Sequence, residues 1–216
     1  MSKNNDKNNK KTLKFLILQV ILFLLLIFII VSVSLNAKFI IELDNFVFNI
    51  TDFIRIDFIN NFLLIITTFG ESFVFVILVI FFLIYNFKKI GLPLGFLTML
   101  SAIINFCLKN LVQRTRPVGQ FVNNLIFNYQ FPTSFSFPSG HSQTSLVFYF
   151  MLSYFLLQNY KGKHKKLFLT LTCIFVSLIA LSRIVLGVHY FSDVVAGILI
   201  GLIIISNYIF FCSNKK

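Results

Sequence analysis

The chain has 216 residues, of which 57% are hydrophobic and only 12% charged, with a mean hydropathy of +0.88. A soluble globular domain carries roughly twice that share of charged residues, so the composition argues for a membrane and against a soluble domain. The net charge of +12 does not point to nucleic acid, because no basic stripe is interleaved with stacking aromatics on one face.

Residues 1–11 are polar and low in complexity, which predicts a disordered cytoplasmic segment over 1–12 with lysines near anionic headgroups. Crossing a bilayer takes about 20 apolar residues. Six runs approach that length, near 13–35, 71–87, 92–108, 142–158, 167–186 and 193–211. The first follows Lys10, Lys11 and Lys14 and ends near Ser32 and Ser34, a pattern that a cleaved signal peptide would share. Its apolar stretch from Phe15 to Val31 exceeds the roughly 7–15 residues of a signal core, which favours a retained anchor. Residues 39–62 mix Phe and Ile with Glu42, Asp44, Asp52, Arg55 and Asp57, as an amphipathic helix on the outer surface would. Gly70 closes that unit. The expected fold is all-α: a six-span transmembrane bundle forming a single domain over 13–211, with a cytoplasmic tail at 212–216.

Charge sets the orientation. With the N-terminus cytoplasmic, the inner segments hold 13 of the 19 Lys and Arg residues. Lys38, Arg55, Lys109, Arg114, Arg116 and Arg183 fall outside, as do Glu42, Asp44, Asp52, Asp57, Glu71 and Asp193. The inner face then carries +12 and the outer face zero, the positive-inside pattern. Cys107, Cys173 and Cys212 lie in or beside apolar helices and form no disulfide framework, with Cys107 read as a small buried side chain. His164 sits in a Lys-rich inner loop, as a surface residue.

Three polar segments then fall at the outer ends of spans. Lys109 and Arg116-Pro117 close the third span, Pro138-Ser139-Gly140-His141 opens the fourth, and Ser182-Arg183…His189…Asp193 bridges the fifth and sixth. The long outer loop 117–138, rich in Asn, Phe and Pro, joins the first to the second. An arginine fork matches two phosphate oxygens, and lysine adds a mobile point charge; both residues would also fit as snorkelling charges at a helix end. Ser139 is a natural N-cap, Gly140 permits close backbone approach, and a helix start is an anion site; a plain capped helix has the same look. His189 and Asp193 are four apart, so on one helix face the carboxylate can take the Nδ1 proton and free Nε2 as a nucleophile. Each residue alone also fits a helix cap or an interfacial position. Arg114 has no motif support and is read as a rim charge.

The set Lys109-x6-Arg116-Pro117, Pro138-Ser139-Gly140-His141 and Ser182-Arg183-x5-His189-x3-Asp193 resembles the type 2 phosphatidic acid phosphatase superfamily, whose signature is shared with vanadium haloperoxidases. The resemblance implies a membrane lipid phosphatase in which His189 forms a phosphohistidine, Asp193 orients it and His141 protonates the leaving group. It further implies that Lys109, Arg116, Ser139, Gly140 and Arg183 hold the phosphoryl oxygens, with no cofactor and no metal. Its implied partners are the bilayer and a lipid phosphate or diphosphate: undecaprenyl diphosphate, phosphatidylglycerophosphate or phosphatidate. A lipid phosphotransferase would use the same residues. A transporter would need charges near mid-membrane and inverted repeats, which the sequence lacks. Gly91 and Gly95, and Gly197 and Gly201, have the spacing of close helix packing, within one bundle first and in a homodimer second.

Overall fold

The computed structural model describes residues 2–117, 133–158 and 160–213. Its elements are eight α-helices: α1 (Ser2–Ser34), α2 (Lys38–Asp52), α3 (Asp57–Thr68), α4 (Ser72–Tyr85), α5 (Leu92–Val112), α6 (Gly140–Leu157), α7 (Lys165–Val185) and α8 (Phe191–Ser213). A π-helical turn at Phe87–Gly91 leads into α5. The Asn86 side chain caps that turn by accepting from the Lys89 amide, and a proline in the first turn of α5 suits a position where no amide partner is needed.

The α6 helix is the centre of the bundle, packed against α5, α7 and α8. Its first turns carry a buried polar run, Ser142, Gln143, Thr144 and Ser145, which would be costly in an apolar interior without partners. For Gln143 and Thr144 the partners come from α5, Ser142 pairs with Ser139, and the Ser145 hydroxyl has no hydrogen-bond partner among the described residues. Gln143 Nε2 donates to the Ser101 carbonyl at 2.7 Å, and Asn105 Nδ2 donates to Gln143 Oε1 at 3.0 Å and to the Pro138 carbonyl at 3.2 Å. On the other side, α8 approaches closely because it presents glycine. A Cβ at Gly197 would lie 2.7 Å from the Ser139 carbonyl oxygen, and one at Gly201 would lie 2.9 Å from Leu146 Cδ2. Gly95 faces Val79, and Gly91 meets the Leu83 backbone, so both glycine pairs serve packing within the chain. A polar clamp ties α1 to α8: Gln19 Nε2 donates to Ser206 Oγ at 2.7 Å and Asn207 Nδ2 to Gln19 Oε1 at 2.9 Å.

Among the described residues, four helices are long and apolar enough to cross a membrane, namely those carrying Asn8–Ser34, Phe87–Val112, Lys165–Val185 and Phe191–Cys212; a fifth arises if α3 and α4, bent by 41°, form one broken span. Six spans were expected, so length and composition account for four or five of them. The run predicted at 142–158 forms α6 but falls outside that set, because the consecutive polar residues of its first turns, His141 to Ser145, dilute its apolar length. Other expectations are corrected. The segment 39–62, expected as one surface helix, is two helices broken after Asp52, where Arg55 folds back to donate to the Val185 carbonyl at 2.8 Å. Its polar residues Asp44, Thr51 and Asn60 are buried. The first helix begins at Ser2, within the segment expected to be disordered. Cys107, expected to be buried, is exposed on α5. Most of the loop 117–138 and the end of the 212–216 tail lie outside the described residues.

Candidate active site

The three motif segments meet on one cavity of about 920 Å³. Lys109, Arg116, Gly140, His141, Arg183 and His189 line its polar end, with Glu71 and Ser134 beside them. The rest of its wall runs mainly between α4 and α5 and is mostly apolar, including Phe75, Val79, Leu83, Phe96 and Met99.

Local backbone chemistry sets each side chain. Gly187 takes φ +64° just beyond the end of α7, a conformation cheap only for glycine. The turn it makes lets the amides of Val188 and His189 both donate to the Arg183 carbonyl at 3.0 Å, so Arg183 and His189 are held side by side. Arg183 is fully buried and donates from Nη1 to Thr67 Oγ1 at 2.6 Å. Arg116 leaves the end of α5 and donates to the Ser134 carbonyl at 2.7 Å and the Val188 carbonyl at 3.0 Å. Lys109 reaches the Phe135 carbonyl. The Ser139 hydroxyl caps α6 and pairs with Ser142 Oγ at 2.9 Å. It is buried behind the cavity wall and does not line it, so among the expected phosphate ligands Ser139 is the one turned away.

Two imidazoles face the cavity. His189 Nδ1 lies 3.5 Å from Asp193 Oδ2 and 3.3 Å from Ser136 Oγ, while Nε2 lies 3.1 Å from Arg116 Nη1. A carboxylate at Nδ1 holds the proton there, which leaves the Nε2 lone pair toward the cavity. Burial, only partly offset by Asp193, pushes the His189 pKa down to about 3, so the ring is neutral at ordinary pH. His141 Nε2 is 3.2 Å from Glu71 Oε1. Its ring packs on Gly70, where a Cβ would stand 2.6 Å from His141 Cδ2, and Tyr149 holds that turn by donating to the Phe69 carbonyl at 2.7 Å.

Several site residues were missed from sequence. Arg114, read as a rim charge, is largely buried and donates to Asp193 Oδ1 at 2.8 Å and to Asp44 Oδ2 at 2.7 Å. Ser136 donates to Asp193 Oδ2. Thr67 and Glu71 come from the α3–α4 region, which carried no motif. The signal for Asp44 and Arg114 was the cost of charge in so apolar a chain; for Ser136 and Thr67 there was none.

Comparison with known proteins agrees with this geometry. A family model for the PAP2 superfamily matches residues 90–215. Phosphatidylglycerophosphatase B of Bacillus subtilis (strain 168) is 34% identical over 105 residues, 47% of this chain and 48% of that protein, so the match spans about half its length. Undecaprenyl-diphosphatase of Sulfolobus acidocaldarius is 28% identical over 170 residues, 77% of this chain and 75% of that one. In fold, the chain is similar to the crystal structure of a transmembrane PAP2 type phosphatidylglycerolphosphate phosphatase from Bacillus subtilis, with a TM-score of 0.79 and 26% identity over 92% of this chain and 97% of the other. It is also similar to LpxE of Aquifex aeolicus, with a TM-score of 0.57 and 28% identity over 74% and 92%. A family match across more than half of the sequence, on helices that gather the motif residues around one cavity, establishes that this membrane protein belongs to the PAP2 superfamily.

Proposed function

We propose that the chain is an integral membrane lipid phosphatase that hydrolyses a phosphomonoester or diphosphate through a phosphohistidine on His189. The observation that carries this reading is the single cavity with a cationic, histidine-bearing end and an apolar wall between α4 and α5. A lipid phosphate has the same division, an anionic head on an apolar tail.

The reaction follows from the residues. Lys109, Arg116 and Arg183 hold the phosphoryl oxygens, helped by the amides that open α6 at Gly140. His189 Nε2 attacks phosphorus, and the bond to the lipid oxygen breaks as His141 gives that oxygen a proton. Water then attacks the phosphoryl imidazole, His141 takes its proton, and inorganic phosphate leaves with His189 regenerated. Asp193 keeps the Nδ1 proton in place throughout. Preorganised cations supply the charge stabilisation that a metal supplies in other phosphoryl transfers.

The site residues stand in or just beyond the last turns of α5 and α7 and at the starts of α6 and α8. Helices in succession around one cavity, with the lysine-rich loop away from the site, support a six-span topology with the site at the extracytoplasmic face and both termini cytoplasmic. The names of the relatives support phosphatidylglycerophosphate and undecaprenyl diphosphate as substrates, while phosphatidate rests on the motif resemblance alone.

A phosphate-release assay over these three lipids tests the reading. The purified wild type releases phosphate from at least one, and folded His189→Ala releases none; full activity in that variant would reject the mechanism. Heavy-oxygen water separates hydrolysis, which puts the label in the released phosphate, from transfer to a second lipid.

A further inference from the structure

Behind Asp193, on the side away from the cavity, a charged chain runs through residues that the motif does not include. Asp44 on α2, Arg114 after α5, and Asp193 and Ser192 at the start of α8 come together there. Arg114 divides its fork. Nη1 donates to Asp193 Oδ1 at 2.8 Å and to Ser192 Oγ at 2.7 Å, and Nη2 donates to Asp44 Oδ2 at 2.7 Å. Asp44 in turn accepts the Ser192 amide at 2.9 Å and the Ser192 hydroxyl at 2.7 Å. The guanidinium lies over the Tyr190 ring, 3.9 Å from its centre. Asp44 and Asp193 side chains are 1% and 0% exposed, and that of Arg114 is 14% exposed. The contact is therefore a built site, with three charges sharing two ion pairs.

We propose that Arg114 is a positioning residue for the reaction, acting through Asp193, with Asp44 on α2 as its anchor. This assignment rests on the phosphatase reading above. A carboxylate has two oxygens and one rotatable bond. With Oδ1 pinned by Arg114, rotation is blocked and Oδ2 is left to His189 Nδ1, Ser136 and the Tyr190 amide, which donates to it at 3.0 Å. Asp44 matters because a lone Arg114 would be free to swing toward the anion-binding end of the cavity, two residues away at Arg116. The left-handed Gln113, at φ +52°, turns the chain at the end of α5, and Ser136 donates its amide to the Arg114 carbonyl at 2.7 Å. The segment is thereby fixed so that Arg114 serves the carboxylate while Arg116 serves the cavity.

The test uses the full-length protein in detergent, with dioctanoyl phosphatidate and farnesyl diphosphate as probes, reading kcat, KM and thermal melting. Arg114→Gln lowers kcat by roughly 10- to 100-fold, the range for losing the outer partner of a site residue, while KM stays near wild type. Arg114→Lys recovers part of kcat, because a lysine reaches one carboxylate and not both. Asp44→Asn lowers kcat less than Arg114→Gln. A folded Arg114→Gln with wild-type kcat overturns the assignment, as does a loss confined to KM, which would put Arg114 on the substrate. Should Arg114→Gln not fold, Arg114→Lys and Asp44→Asn decide by the same criterion. A wild type that releases no phosphate from either probe or any longer lipid overturns the phosphatase reading and this assignment together. An active wild type, an inactive His189→Ala and a fully active Arg114→Gln overturn this assignment alone.

Discussion

His189 has its two ring nitrogens in opposite surroundings, an anion at Nδ1 and a guanidinium at Nε2. Burial outweighs the Asp193 carboxylate and pushes its pKa down to about 3, against about 6.5 in an unfolded chain. The folded state therefore binds the proton less readily than the unfolded one. Its stability contribution is complete above pH 6.5 and is lost progressively as pH falls toward 3. Thermal melts across pH 7 to pH 4, in detergent, should show the midpoint falling, with part of that fall absent in His189→Gln; parallel curves for the two proteins would refute the assignment. The same neutrality suits a nucleophile. At this scale the sequence was legible where chemistry demanded a fixed residue type. Lys109, Arg116, Gly140, His141, Arg183 and His189 all line the cavity, and Asp193 stands behind His189. It was illegible where several residues could have done the task. Motif spacing picked out Arg116 but carried no sign that Arg114, two positions earlier, serves a carboxylate, and the Ser139 hydroxyl turned to Ser142 rather than the cavity.

Helix contacts explain why the motif loops hold their shape. The α6 N-terminus is fixed from three directions: the Ser139 amide donates to the Asp193 carbonyl at 3.0 Å, Asn105 donates to the Pro138 carbonyl, and Gly197 lets α8 close on Ser139. The obstacle at Gly197 is backbone, which has no rotamer to yield. Gly197→Ala should thus destabilise the protein by about 1–3 kcal/mol, the usual cost of overpacking, despite the better helix propensity of alanine. It should also reduce kcat, because the turn bearing His141 must shift relative to Asp193. Gly95→Ala is the control, since its nearest neighbour is a Val79 methyl at 3.1 Å that can rotate, and it should melt close to wild type. Equal melting of the two variants would show that the α6–α8 approach is not limiting. The helices themselves were readable from apolar run length, since every predicted span has a helix at nearly its position. The break after Asp52 was not, because its cause is a tertiary contact, Arg55 on the last carbonyls of α7.

On the scale of the whole molecule, burial and charge settle different questions. The apolar wall of the cavity lies along α4 and α5, whose outer faces are themselves apolar, with Ile77, Phe81, Ile84, Ile103 and Leu111 exposed. Exposed side chains of this kind are stable against lipid and not against water. A lipid substrate entering between these helices would keep its tail in the hydrocarbon while its head reaches Arg116 and His189. Which side of the membrane that head lies on is a separate matter, and the proposed orientation rests on charge. The loop with Lys161, Lys163, His164 and Lys165 sits at the opposite ends of α6 and α7 from the site, and the excess of lysine in cytoplasmic loops is what puts the site on the outer side in this proposal. Replacing Cys107, Cys173 and Cys212 with serine and then placing one cysteine at Ser134, which is exposed beside the site, gives a reporter for the outer face. A second protein with its cysteine at Gly162, exposed in the lysine-rich loop, reports the inner one. In intact cells a membrane-impermeant maleimide should label the first and reach the second only after the membrane is opened. Labelling of Gly162→Cys in sealed cells, with Ser134→Cys protected, would turn the molecule over and place its phosphate chemistry on the cytoplasmic side.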